Sequence, residues 1–150
     1  MASDSSPRSE NLAAIDLGTN SVHGVVARMT ETPSGVRFES LEREKEMVRL
    51  GSSAGDMREL SDDAIDRAVA ALDRFRRVAE VHDAPVAAVA TSAVREAENR
   101  DVLIDRAWAE AGVHVDVISG LEEARLIHLG VLQAVPVYDK QLLLMDIGGG

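Results

Sequence analysis

The chain has 150 residues, 45% of them apolar and 28% charged, with a formal net charge of −10 and no cysteine. That length suits one ordinary domain with a real core, and the composition excludes a disordered polymer, a disulfide framework, a thiolate nucleophile and a cysteine metal site. The acidic balance excludes broad electrostatic binding of nucleic acid or an anionic membrane, and no apolar run nears the roughly 18 residues of a membrane span. The N-terminal segment lacks the apolar stretch of a signal peptide, so a cytoplasmic protein is the simplest reading.

Residues 1 to 10 (MASDSSPRSE) are polar and are expected to form a disordered tail. NLAAIDLG then reads as a short buried strand, and SVHGVVARMT as a second one after a tight loop. TPSG at 32–35 supplies turn chemistry, and VRFESLEREKEMVRL alternates well enough at its start for a third strand, giving an antiparallel meander. GSSAGDMREL is a loop. Ser61 with Asp62 and Asp63 starts a helix over 62–82, whose apolar positions Ile65, Ala68, Val69, Leu72, Phe75 and Ala79 follow helical spacing. VAAVATSA reads as a strand covered on both faces. A helix over 100–111 carries Leu103, Ala107, Trp108 and Ala111 and stops at Gly112, with core packing expected for Trp108. VHVDVIS is the next strand, 120–134 the next helix and QLLLMDIG the last strand. This order predicts an α/β sandwich with a mixed sheet, its parallel strands joined by helices.

Two loops share one grammar. Asp16 ends an apolar strand and is followed by Gly18, Thr19, Asn20 and Ser21; Asp146 ends another and is followed by Gly148, Gly149 and Gly150. Glycine lets the backbone turn and approach a ligand, the small polar residues offer donors, and an aspartate at a strand's carboxyl end can hold a divalent cation directly or through water. A single loop of this kind is an ordinary turn; the pair points to a bound anion, with phosphate as the natural candidate. Salt screens the chain's overall charge beyond about 10 Å, so such a site must be built from particular local residues.

AAIDLGTNS, ATSAVREAENR, VISGLEEARLIHLGV and LLLMDIGGG resemble, in order and spacing, the exopolyphosphatase and guanosine pentaphosphate phosphohydrolase family. The resemblance implies an actin-like ATPase (ribonuclease H-like) domain: a mixed five-stranded sheet with helices on both faces. It implies a first actin-like domain over 11–135, then the opening strand and phosphate loop of a second over 136–150. The two loops become phosphate-binding hairpins facing one cleft, with Asp16 and Asp146 at a magnesium ion or another divalent cation. Family members continue past this point to a Ser or Thr and a Glu, so the resemblance implies a fragment or a natural half, weak or inactive alone.

Ser119 followed by Glu122 is a capping box, which gives Glu122 a structural task at a helix start. Glu123 lies about 100° further round and is free to point elsewhere. The resemblance assigns the second glutamate as the general base, which lands on Glu123. Arg95 lies just past a buried strand, where ligands of parallel sheets bind, and can fork two phosphate oxygens. The bland alternative pairs it with Glu96 or Glu98; the resemblance favours phosphate. Thr91 and Ser92 are weaker candidates. His23, His82, His114 and His128 lack metal-ligand spacing and read as ordinary residues. REKE at 43–46 reads as a solvated charge run, and Arg49 is left undecided.

The activity implied is release of terminal orthophosphate from inorganic polyphosphate. The alternatives are removal of the 5′ phosphate of guanosine pentaphosphate and a non-catalytic phosphate or nucleotide sensor; a kinase on the same fold lacks support. The expected partners are polyphosphate or guanosine pentaphosphate, with no nucleic acid and no membrane, and a homodimer is left open.

Overall fold

In β1 (Ser9–Leu17), Ala13, Ile15 and Leu17 are buried while Ala14 and Asp16 are exposed. That alternation is the period-2 signature of a strand whose one face meets a core. The structure, a computed structural model, describes residues 8–33, 35–51, 59–135 and 141–148. β2 (Ser21–Thr32) and β3 (Gly35–Met47) complete the meander, both antiparallel, with Gly35 at φ 120° in the turn. β4 (Val86–Ala90) pairs parallel with β1, and β5 (Val115–Val117) parallel with β4. The sheet order is β3-β2-β1-β4-β5, the mixed five-stranded sheet expected.

Helix α1 (Asp62–Val81) starts as its sequence requires: the Ser61 hydroxyl accepts from the Ala64 N–H at 3.3 Å, with Asp62 and Asp63 in the first turn. Its apolar stripe buries Ile65, Ala68, Leu72 and Phe75 in one cluster with Ile15 and Leu17 of β1 and Leu103 and Ala107 of α3 (Arg100–Ala111). α1 lies close to β2, because a Cβ on Gly24 would meet the Phe75 ring at 3.1 Å. Gly112, left-handed at φ 64°, ends α3 as expected. No described helix is long and apolar enough to cross a membrane.

The two faces are unequally covered. α1 and α3 close the Leu17 side, whereas α4 (Gly120–Ala134) buries no residue, and Leu126, Leu129 and Leu132 on it stay exposed.

Several expectations change. The tail does not reach residue 10: Ser9 and Glu10 pair with Thr30 and Met29, because the long β2 offers ladder partners even to polar residues. Residues 1–7 lie outside the described residues, as do 52–58 of the loop before α1. β4 stops at Ala90, and Ser92–Glu96 is a short helix, α2, closed by the Arg95 N–H on the Thr91 carbonyl at 2.8 Å. An apolar, alanine-rich run suits either state, and its periodicity cannot separate them. β4 is also only partly covered on its second face, where Ala87 is exposed and Val89 half-buried. Residues 141–148 carry no strand, because no ladder partner stands beside them among the described residues. Trp108 is not in the core: it is 54% exposed and stacks on His114, ring centroids 3.8 Å apart.

Candidate active site

The carboxyl ends of β1, β4 and β5 open onto loops and helix starts instead of further strand, and the candidate residues gather there. Asp16 lies on the exposed face of β1, between His23 of β2 and Val89 of β4 in the register. Its partly enclosed carboxyl is pushed above the usual aspartate range by desolvation; His23 opposes the shift and Glu123 adds to it. Asp16 and Glu123 thus share one neighbourhood although 107 positions, 123 minus 16, separate them in sequence.

The loop after Asp16 is tied down by its backbone. The Gly18 N–H donates to the Ser21 carbonyl at 3.0 Å, and a Cβ on Gly18 would crowd that oxygen at 3.2 Å. The Val48 and Arg49 N–H groups both donate to the Asn20 carbonyl, at 3.0 and 2.9 Å, and the Gly51 N–H donates to the Thr19 carbonyl at 3.0 Å. Arg49 adopts φ 52°, left-handed backbone that is uncommon for a residue with a Cβ, at this junction. Thr19 and Ser92 hydroxyls meet at 2.9 Å, joining the loop to α2. Ser21 is buried, and its hydroxyl meets His23 Nε2 at 2.8 Å.

Arg95, in the last turn of α2, does not settle on its neighbours. Its Nη1 donates to the Ile118 carbonyl at 3.1 Å and to the Glu123 carboxylate at 3.2 Å, while Glu96 is 3.9 Å away. Both Arg95 and Glu123 are about three-quarters buried, with 28% and 27% of their side-chain surface exposed. An ion pair so placed is shielded from the screening that weakens surface pairs.

The glutamates part as their helix positions demand. The Ser119 hydroxyl accepts from the Glu122 N–H at 3.1 Å, which is one half of the capping box. The other half is replaced: both Glu122 carboxylate oxygens accept from Arg125, at 2.8 and 2.7 Å, which holds the Glu122 carboxyl below its usual range. Arg125 lies three residues on, within reach of the same helix face, and competes successfully with the backbone N–H. Glu123 turns inward to Arg95.

A cavity of about 490 Å³ opens beside this pair, lined among others by Ser92, Arg95, Glu123, His128, Asp146 and Gly148. Four expected site residues, Arg95, Glu123, Asp146 and Gly148, therefore share one space. Asp16, Gly18, Thr19, Asn20 and Ser21 do not line it; they adjoin it through Thr19–Ser92 and through the field of Glu123. Gly149 and Gly150 lie outside the described residues. Two histidines read as ordinary stand at the site: His23 against Asp16 and Ser21, and His128 on the cavity wall. For His23 the signal was the strand alternation itself, since a seven-residue separation across a tight turn pairs Asp16 with His23 on one face. Among the described residues no group of three or more His, Asp or Glu could hold a metal.

A carboxylate beside a guanidinium, both facing a cavity, can take a proton from water while the cation holds an anionic acceptor. Known proteins resemble the chain over most of its length. A guanosine-5′-triphosphate,3′-diphosphate pyrophosphatase from Photobacterium profundum is 38% identical over 144 residues, which cover 95% of this chain and 28% of the relative. The structure of an exopolyphosphatase from Cytophaga hutchinsonii matches with a TM-score of 0.85 and 40% identity, over 94% of this chain and 44% of that one. The Aquifex aeolicus member of the Ppx/GppA family matches with a TM-score of 0.76 and 26% identity, over 85% of this chain and 41% of that one. The chain thus spans less than half the length of these relatives. The family model for the Ppx/GppA phosphatase family matches residues 25–150, and the chain belongs to that family.

Proposed function

We propose that this chain supplies the general base and a phosphate-binding arginine of a phosphoanhydride hydrolase that releases terminal orthophosphate from inorganic polyphosphate. The observation that supports this most is the Arg95–Glu123 contact at 3.2 Å at the edge of the 490 Å³ cavity. In the proposed reaction Glu123 accepts a proton from water as the water oxygen bonds to the terminal phosphorus. The bridging P–O bond breaks, and its electron pair stays with the shortened chain. Arg95 exchanges its carboxylate partner for the terminal phosphate and neutralises the charge that develops there. The loop of Gly18, Thr19, Asn20 and Ser21, and that of Gly148, Gly149 and Gly150, flank the phosphates in this reading. Residues 136–150 are read as the start of a second actin-like domain.

Asp16 and Asp146 are the residues that would hold magnesium or another divalent ion. The donors fit such an ion, which takes one or two carboxylates and completes its shell with water and substrate phosphate. The described residues offer separate carboxylates instead of a closed cluster, and Asp16 is one whose negative charge is poorly compensated. When bound, the ion neutralises phosphate charge and orients the scissile group.

The pyrophosphatase relative at 38% identity supports a second reading, hydrolysis of guanosine pentaphosphate. A non-catalytic sensor is disfavoured by Glu123, which a binding module would not need. Phosphate release from each substrate, measured with the purified protein, tests the proposal. Polyphosphate should be turned over with the higher kcat/KM, chelation of divalent ions should abolish release, and Arg95→Ala should raise KM by the equivalent of about 1.5–3 kcal/mol. Faster turnover of guanosine pentaphosphate would establish the second reading; no release from either would leave the sensor.

A further inference from the structure

REKE at 43–46 lies in β3, and the strand's alternation sorts its charges onto two faces. Glu44 and Glu46 turn toward α1, where Arg74 binds them at 3.2 and 2.8 Å. Arg43 and Lys45 therefore stand on the other face, the one that carries Asp16. The register extends this row across three strands: Asp16 is opposite His23, His23 is opposite Lys45, and Arg43 is opposite Val25 one step along. Neighbouring strands lie about 4.8 Å apart, so His23 and Lys45 step outward from Asp16 toward the free edge of the sheet.

His23, Arg43 and Lys45 are all exposed. Arg43 donates only to the neutral Ser40 hydroxyl, at 2.9 Å, and Lys45 has no partner among the described residues. In a chain of net charge −10, most of the described arginines are matched to carboxylates, whereas these two cations beside the site have no carboxylate partner among the described residues. On the same row beyond Asp16 the sheet continues with Val89 and then Asp116, so the positive side of the row leads one way only, toward β3.

We infer that His23, Lys45 and Arg43 form a track for an inorganic phosphate chain running from the site across the exposed sheet face to the β3 edge. This rests on the phosphoanhydride reading above and deepens it: the preferred substrate is a linear polyanion long enough to leave the cavity. Each phosphate lying against Lys45 or Arg43 displaces counterions, so the track acts through affinity and its salt dependence and leaves the chemical step alone.

The test measures binding of tripolyphosphate and of long-chain polyphosphate to the whole chain at several salt concentrations. Wild-type protein should bind the long chain more tightly. The double variant Arg43→Gln/Lys45→Gln should weaken long-chain binding about tenfold, make its salt dependence shallower by about 1 to 1.5 log units per log unit, and leave tripolyphosphate unchanged. The control Glu44→Gln/Glu46→Gln, on the opposite face, should not weaken either. Unchanged long-chain affinity in the Arg43/Lys45 variant, or equal loss for both probes, overturns the track. Arg95→Ala separates the two proposals: long-chain binding that depends on Arg43 and Lys45 but not on Arg95 keeps the track and removes the phosphate site beneath it. Failure of the wild type to bind either probe overturns both.

Discussion

Asp16 and Leu17 are neighbours in β1, yet Leu17 is fully buried in the cluster with Leu72 and Leu103 while Asp16 is exposed at the head of the candidate site. The difference runs through the whole sheet. Toward α1 and α3 stand Ala13, Ile15, Val22 and Val26, all buried; the opposite face shows Ala14, His23, Arg43, Lys45 and Ala87 to solvent. A strand gives one face to cohesion and the other to chemistry because successive side chains point opposite ways. Changes on the two faces should therefore fail differently, one in catalysis and the other in folding.

The largest effect belongs to the chemical side. Glu123→Gln keeps size and helix propensity but removes the proposed base, so turnover should fall about 10² to 10⁴-fold while the chain still folds cooperatively. Glu122→Gln is the paired control: the cap uses the Glu122 backbone N–H, and only the Arg125 contact is lost, so turnover should stay at the wild-type level. Loss of activity in Glu122→Gln instead would exchange the two roles.

On the cohesive side, Leu72→Ala removes a side chain with no exposed surface and should cost about 2–5 kcal/mol in denaturant unfolding. Leu129→Ala on α4, where that residue is 45% exposed, should stay within about 0.5 kcal/mol. A large cost there would show that α4 is packed in solution more tightly than its exposure indicates. Gly24→Ala should fall between them, at about 1–3 kcal/mol, because the new methyl group presses on the Phe75 ring 3.1 Å away.

The smallest expected effect is a pH dependence. The Asp16 carboxyl titrates higher in the fold than in the unfolded chain, so the fold favours its protonated form. That contribution is present below the ordinary aspartate range and is lost as pH rises through the raised value. Asp16→Asn should therefore raise the melting temperature at neutral pH and leave it unchanged in strong acid. Glu110 and Asp73, held below their usual ranges by arginine hydrogen bonds, behave oppositely: their stabilisation is present at neutral pH and is lost as pH falls. A lower melting temperature for Asp16→Asn at neutral pH would mean that Asp16 is compensated in solution.

Much of this was legible along the chain. Ile65, Leu72 and Phe75 announced α1 by spacing, Ser61 and Ser119 announced two helix starts, and Gly112 announced a stop, because caps and amphipathic stripes are local and repeat with the helix. The Ppx/GppA membership was legible in four motifs, and those motifs named Arg95 and Glu123. Where local chemistry was degenerate, the reading failed. ATSAVRE could be strand or helix, Trp108 sat at an apolar helical position beside a core that does not extend to it, and QLLLMDIG had strand composition without a partner strand among the described residues.

The sequence by itself determined the elements and the residue types, because hydrogen-bonding periods and caps are read within a few positions. Only the tertiary structure decided which charges meet. The Arg95–Glu123 contact spans 28 positions, and Arg74 reaches Glu44 across 30. The sorting of REKE into an α1-bound acidic pair and an exposed basic pair depends on which sheet face α1 covers. Those outcomes follow from strand order and register, which long-range packing selects, and no local stretch of the chain specifies them.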